Sequence, residues 1–139
     1  MALQFTEHDH LQHARHNEAF LDHLIESVLE SRSEFADWAL VVCFYAALHY
    51  TKAALVRDLR MSATTHRSYE DAGGGDRKGH TDLVRIHLPA LGAIYSEMFD
   101  LSQDARYRGF YKMPGHAVAE VKRQRRRLED VKTACGYGG

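Results

Sequence analysis

Apolar residues recur at steps of three and four over residues 7–31, with Leu11, Ala14, Phe20, Leu21, Leu24, Ile25, Val28 and Leu29 on one face. Glu7, Arg15, Glu18, Asp22, Glu26 and Glu30 occupy the other. That spacing predicts an amphipathic helix. Asp37 can accept a hydrogen bond from the open backbone donors at the start of a second helix, predicted over 38–59, which contains neither proline nor glycine. Its apolar side chains, among them Trp38, Leu40, Val41, Val42, Cys43, Phe44, Leu48 and Leu55, cover nearly the whole circumference, so it belongs at the centre of the fold. Ala46, Ala47, Ala53 and Ala54 let neighbouring backbones come close.

Periodicity is lost over 61–79, where Gly73, Gly74 and Gly75 carry an entropic cost that a helix interior tolerates badly, and a loop is predicted. Thr81 can cap a third helix whose apolar face runs from Leu83 and Val84 to Met98 and Phe99. Pro89 interrupts it by removing a backbone donor and crowding the preceding turn, so the segment is kinked or split at His87 or Leu88. Residues 101–111 read as a short turn of helix followed by loop. After Pro114 and Gly115 a last helix is predicted over 116–135, with Ala117, Val118, Val121, Leu128, Val131 and Ala134 inward, and the tail 136–139 is expected to fray. No strand-like alternation and no internal repeat occurs. The expectation is a single all-α domain over 1–139, an up-down bundle of four to five helices.

Charge sharpens this picture only locally. The formal net charge is -1 with histidine neutral, so any nucleic-acid site must be a patch and not the average field. Ten histidines add positive charge as the pH falls toward their ordinary titration range, which makes polyanion binding pH-dependent in principle. Cys43 and Cys135 have no close partner in sequence, and no segment reads as a signal or a bilayer-crossing span, so a reducing cytoplasm and no membrane partner are expected.

Three stretches, taken in order, resemble the HEPN family of prokaryotic helical domains. They are Asp37-Trp38-Ala39-Leu40-Val41-Val42-Cys43-Phe44-Tyr45-Ala46-Ala47-Leu48-His49-Tyr50, then Lys78-Gly79-His80, then Leu101-Ser102-Gln103-Asp104-Ala105-Arg106-Tyr107. The resemblance implies a HEPN-like bundle that binds RNA or a nucleotide, with metal-independent RNA cleavage of the toxin or defence type as a possible activity and no cofactor. It also implies a homodimer, or pairing with an antitoxin or a nucleotidyltransferase. Nuclease members carry an arginine followed four to six residues later by a histidine. Here Ser102 is followed by Arg106, and the only copy of the family spacing, Arg60 to His66, falls in the predicted loop.

The candidate chemistry follows from residue types. An arginine holds phosphate through parallel hydrogen bonds, and a histidine titrating near neutrality can move the proton of a ribose hydroxyl. His49, His80 and Arg106 are the candidate catalytic residues on that basis, with Tyr45 one turn from His49. The bland alternative is that Tyr45 and His49 are satisfied polar groups against the core. Tyr107 and Arg108 set aromatic beside cation, a mix that suits base stacking, although the rings can equally close the end of the bundle. Lys122, Arg123 and Arg126 belong to a basic run that can meet an RNA backbone or simply pair with Glu120, Glu129 and Asp130. His8, His10, His13 and His16 lie at helical spacing, but two neighbouring imidazoles near a terminus make a poor metal site, and solvated histidines are expected instead.

Overall fold

A computed structural model describes residues 5–59, 79–109 and 112–138. The fold is an all-α bundle of α1 (Glu7–His23), α2 (Ala36–Leu59), α3 (His80–His87), α4 (Gly92–Tyr107) and α5 (Pro114–Cys135). The glycine-rich part of the predicted loop, the Arg60 to His66 pair and Lys78 lie outside the described residues.

Helix α1 starts where Thr6 and Asp9 satisfy each other's backbone N–H groups, at 3.1 and 2.9 Å. The sequence supplies a capping box here, with aspartate at the third helical position. Those bonds hold the Asp9 carboxyl below its ordinary range. After His23 the chain continues as one π-helical turn, Leu24–Val28, closed by Leu29 N–H donating to the Leu24 carbonyl, so the α-helical part is shorter than the apolar spacing predicts.

Helix α2 begins at Ala36 behind a short 3-10 turn, Ser33–Phe35. Asp37 thus sits inside the first turn, where it accepts from the Trp38 N–H, and does not occupy the capping position. Likewise Gly79, whose N–H donates to Asp82, precedes α3, and Thr81 lies within the helix. At Pro89 the predicted interruption is a split: α3 ends, a 3-10 turn follows (Pro89–Leu91), and α4 runs on to Tyr107. The part 101–107 of the segment expected as short helix plus loop therefore forms the last two turns of α4.

The central position of α2 is as expected. It packs against α1, α5 and α4, and more lightly against α3. Its length and apolarity match a membrane-crossing helix, and 72% of its most apolar window is buried in the bundle. Ala36, Ala39, Cys43, Ala46, Ala47, Ala53 and Ala54 are fully covered, and their small size is what lets three helices close around one.

The tail does not fray as far as Gly138. Gly136 adopts φ 86°, the left-handed region that a side chain penalises, and ends α5 in the usual glycine manner. Tyr137 then folds back: its hydroxyl donates to Glu7 at 2.7 Å, and the Arg57 guanidinium lies over its ring while donating to the Cys135 carbonyl at 2.8 Å. Gly136→Ala is expected to cost about 1–2 kcal/mol, because a Cβ there meets both the left-handed backbone and Arg57 at 3.1 Å. Thermal melts of the two proteins check it, and an unchanged midpoint refutes it.

Candidate RNA-binding face

Between Ala36 and Leu55 every α2 residue is buried except Trp38, Val42, Tyr45, His49 and Lys52. These five recur at steps of four and three, so they form one stripe, the partly exposed side of α2. At 1.5 Å per residue, His49 lies about 6 Å along the axis from Tyr45 and Lys52 about 10 Å. The core's requirement for burial on three sides thus fixes which side chains reach the surface.

Helix α4 supplies a cation at the middle of this stripe. Arg106 donates from an Nη to the Tyr45 hydroxyl at 3.2 Å, and its guanidinium lies 5.7 Å from the Tyr45 ring and 5.4 Å from the Tyr107 ring. Among the described residues no carboxylate comes within ion-pair distance of Arg106, and its Nε, though buried, has no hydrogen-bond partner. A half-buried guanidinium held between two rings with its charge uncompensated is a ready receptor for an anion. Tyr107 is 71% exposed and offers a ring face to solvent. Beneath Tyr45, Phe44 and Tyr95 build the wall, their rings 5.5 Å apart.

Helix α1 supplies the other flank. His10 and His49 meet through their Nδ1 atoms at 3.1 Å, and the His13 ring stands 4.7 Å from that of His49. Phe5 packs edge-on to His10 and tilted to His13, at 5.4 Å from both. His10 is only 5% exposed, which corrects the expectation of solvated histidines throughout this segment. Burial, together with nearby Lys52 and His13, lowers its pKa to about 4. Burial also lowers that of Lys52.

The remaining candidates are placed elsewhere. His80 is 1% exposed, with Nε2 at 2.8 Å from the Thr51 hydroxyl and its ring edge-on to Tyr95. Because Thr51 spends its own proton on the Leu48 carbonyl, His80 is the donor in that bond. A histidine so enclosed is a core group and cannot reach a substrate hydroxyl. Ser102 is also buried and donates to the Phe99 carbonyl at 2.7 Å. Arg108 is exposed and paired with Asp104.

The basic run on α5 is largely neutralised. Arg123 pairs with Glu97 at 3.0 Å and Glu120 at 3.4 Å, Arg127 with Glu97, and Arg125 with Asp22 at 2.7 Å and Glu129 at 2.8 Å. Lys122 is exposed and Arg126 lies on the same helix, and Lys122 lines a groove with Glu26 and Glu30 at the end of α1, not the α2 stripe. The structure thus brings Tyr45, Arg106 and Tyr107 together beside His49, encloses His80 in the core, and pairs Arg108 and Arg123 with carboxylates. Sequence reasoning missed His10, His13 and Lys52 as members of that face. The signal for Lys52 was its step of three from His49 on a helix otherwise apolar. Among the described residues no group of three or more histidine, cysteine or carboxylate side chains is arranged to hold a metal ion.

Neither family models, nor curated proteins, nor solved structures match this chain.

Proposed function

We propose that this chain is a HEPN-like domain that binds single-stranded RNA along the partly exposed stripe of α2, with Arg106 on a phosphate and Tyr45 and Tyr107 stacking the adjoining bases. The observation that carries the reading is the Arg106 guanidinium, set between two tyrosine rings with no carboxylate partner among the described residues. Cations interleaved with aromatic faces are what sequence-tolerant single-strand binding requires. Of the two candidate proton carriers, only His49 stands on this stripe, so any chelator-resistant cleavage has to pass through His49 with Arg106.

Arg106→Ala is expected to weaken binding of a labelled oligoribonucleotide at least tenfold, the equivalent of a charged hydrogen bond worth about 1.5–3 kcal/mol. Wild-type affinity should fall as salt rises, with a log–log slope of about −0.7 per phosphate contacted. Anisotropy titrations of both proteins across salt measure this. Affinity that ignores both salt and Arg106→Ala refutes the reading.

One observation favours a second use of the same face: Trp38, at the head of the stripe, is 58% exposed. A large ring left open beside Val42 suits a protein partner, whether a second copy of this chain or an antitoxin or nucleotidyltransferase in a cytoplasmic complex. Sedimentation of wild type and Trp38→Ala distinguishes it, since that pairing must weaken on loss of the ring while RNA binding at Arg106 persists.

A further inference from the structure

We propose that the groove between the end of α1 and the start of α5 docks a helix of another protein, one that brings two apolar side chains a turn apart, lysine or arginine for Glu26 and Glu30, and a carboxylate for Lys122. No residue of the α2 stripe lines this groove, so its occupancy does not depend on RNA at that stripe.

Helices α1 and α5 scarcely approach each other directly, and ion pairs bridge the seam between them. Glu18 meets Lys132 at 3.1 Å, and one turn further along α1 Asp22 meets Arg125 at 2.7 Å. The acids continue at steps of four as Glu26 and Glu30, and Lys122 lies one turn before Arg125, so the row predicts a further pair between Glu26 and Lys122. That pair does not form. Among the described residues the side chains of Glu26, Glu30 and Lys122 make no ion pair or hydrogen bond, whereas the neighbouring Arg123, Arg125 and Arg127 are all paired.

The π-helical turn accounts for the change. Leu29 N–H bonds five residues back to the Leu24 carbonyl at 2.8 Å, and in that wider turn a step of four no longer returns to the same side. The acid row swings out of register with α5, and the seam opens into a groove of about 380 Å³. Leu29, 6% exposed, and the half-buried Ile25 and Val118 supply its apolar lining, and Glu26, Glu30 and Lys122 its charged rim. Single π turns of this kind concentrate at functional sites.

Charge and shape select the occupant. Two helices with an apolar gap between them accept a third whose side chains fill it. In the closed part of the seam, cations of α5 cover the acids of α1; in the open part a cation of the guest takes that place on Glu26 and Glu30, and an acid of the guest meets Lys122. Two carboxylates against one ammonium make the rim net negative, which favours approach of a basic segment and repels a nucleic-acid backbone.

The test uses a labelled alanine-based helical peptide of about 20 residues, with two leucines four apart, lysines on one flank and a glutamate on the other, beside a scrambled peptide of the same composition. Anisotropy titration at low salt is expected to show the patterned peptide binding at least about tenfold more tightly than the scramble. Glu26→Lys/Glu30→Lys changes two exposed positions, so the melting midpoint should hold while the patterned peptide binds about tenfold more weakly. A peptide with glutamates in place of its lysines should regain the affinity on that variant. An oligoribonucleotide should not displace the peptide from wild type. Absence of binding, equal binding of patterned and scrambled peptides, or affinity unchanged in the double variant overturns the proposal. Displacement by the oligoribonucleotide overturns it too, by putting the peptide on the Arg106 face. So does self-association in sedimentation that the double variant abolishes, which would make a second copy of this chain the occupant.

Discussion

Phe44→Ala should lower stability by about 3–5 kcal/mol, a large part of the roughly 5–15 kcal/mol that holds a domain together. Phe44 is 1% exposed, on the inner side of α2, with ring centroids of Tyr45, Tyr95 and Phe99 at 5.6, 5.5 and 5.5 Å. Removing it deletes a buried aromatic side chain and breaks, among the described residues, three ring contacts, each worth about 0.5–1.5 kcal/mol beyond the area it covers. The cavity cannot close easily, because α1, α4 and α5 all rest on α2 and none can move inward without leaving another. Urea melts of both proteins measure the loss. The loss should appear in the midpoint at constant slope, since the fold is weakened but not made less compact. Trp38→Ala is the contrasting substitution: the ring is 58% exposed, so its removal should change stability by only about 0.5 kcal/mol either way. If the two variants melt alike, the assignment of inner and outer sides of α2 is mistaken.

That contrast also marks what the sequence could and could not convey. The apolar run from Leu40 to Leu55 identifies α2 as central, because only a helix buried on most sides can be apolar on most sides. The same run hides which narrow side is partly exposed, since tryptophan, valine and tyrosine serve equally well inside or at the margin. Trp38 therefore reads as core and lies outside. Pro89 announces a break, but whether helix resumes after it depends on packing of Tyr95, Met98 and Ala105 against α2, which periodicity alone underestimates once Ser102 and Arg106 enter the pattern. Tyr45 with His49, and Arg106 with Tyr107, are legible as candidates from spacing within each helix. Their meeting across 61 residues is a property of the bundle. His80 and His10 show the limit most clearly. Both are polar residues at helix starts, where solvent is the sound expectation, and both are enclosed by partners distant in sequence: Thr51 and Tyr95 for one, His49 for the other.

The enclosure of His10 predicts an acid-labile fold. In the unfolded chain an imidazole takes its proton near pH 6.5, whereas in the folded protein His10 does so only near pH 4. Burial is the main cause, and the positive charge of Lys52 and the neighbouring His13 add to it. Between those two pH values the unfolded state binds more protons, so stability must rise with pH across the window. The contribution is complete above about pH 6.5, is lost progressively as pH falls, and is spent near pH 4. At about 1.4 kcal/mol for each pH unit separating the two states, it amounts to at most about 3–4 kcal/mol. The carboxylates held below their ordinary range, Asp9, Glu34, Asp58 and Glu129, act in the same direction but at lower pH, and they lie on the surface where screening leaves them little weight. A loss of stability between about pH 6.5 and 5 that the removal of this imidazole abolishes reports His10. Urea midpoints at pH 7.5, 6.5, 5.5 and 5 trace it, and His10→Leu, which removes the titrating group from its enclosed site, should level the slope. A wild-type midpoint that stays constant over this interval would mean that His10 is solvated and that α1 does not seat it against His49.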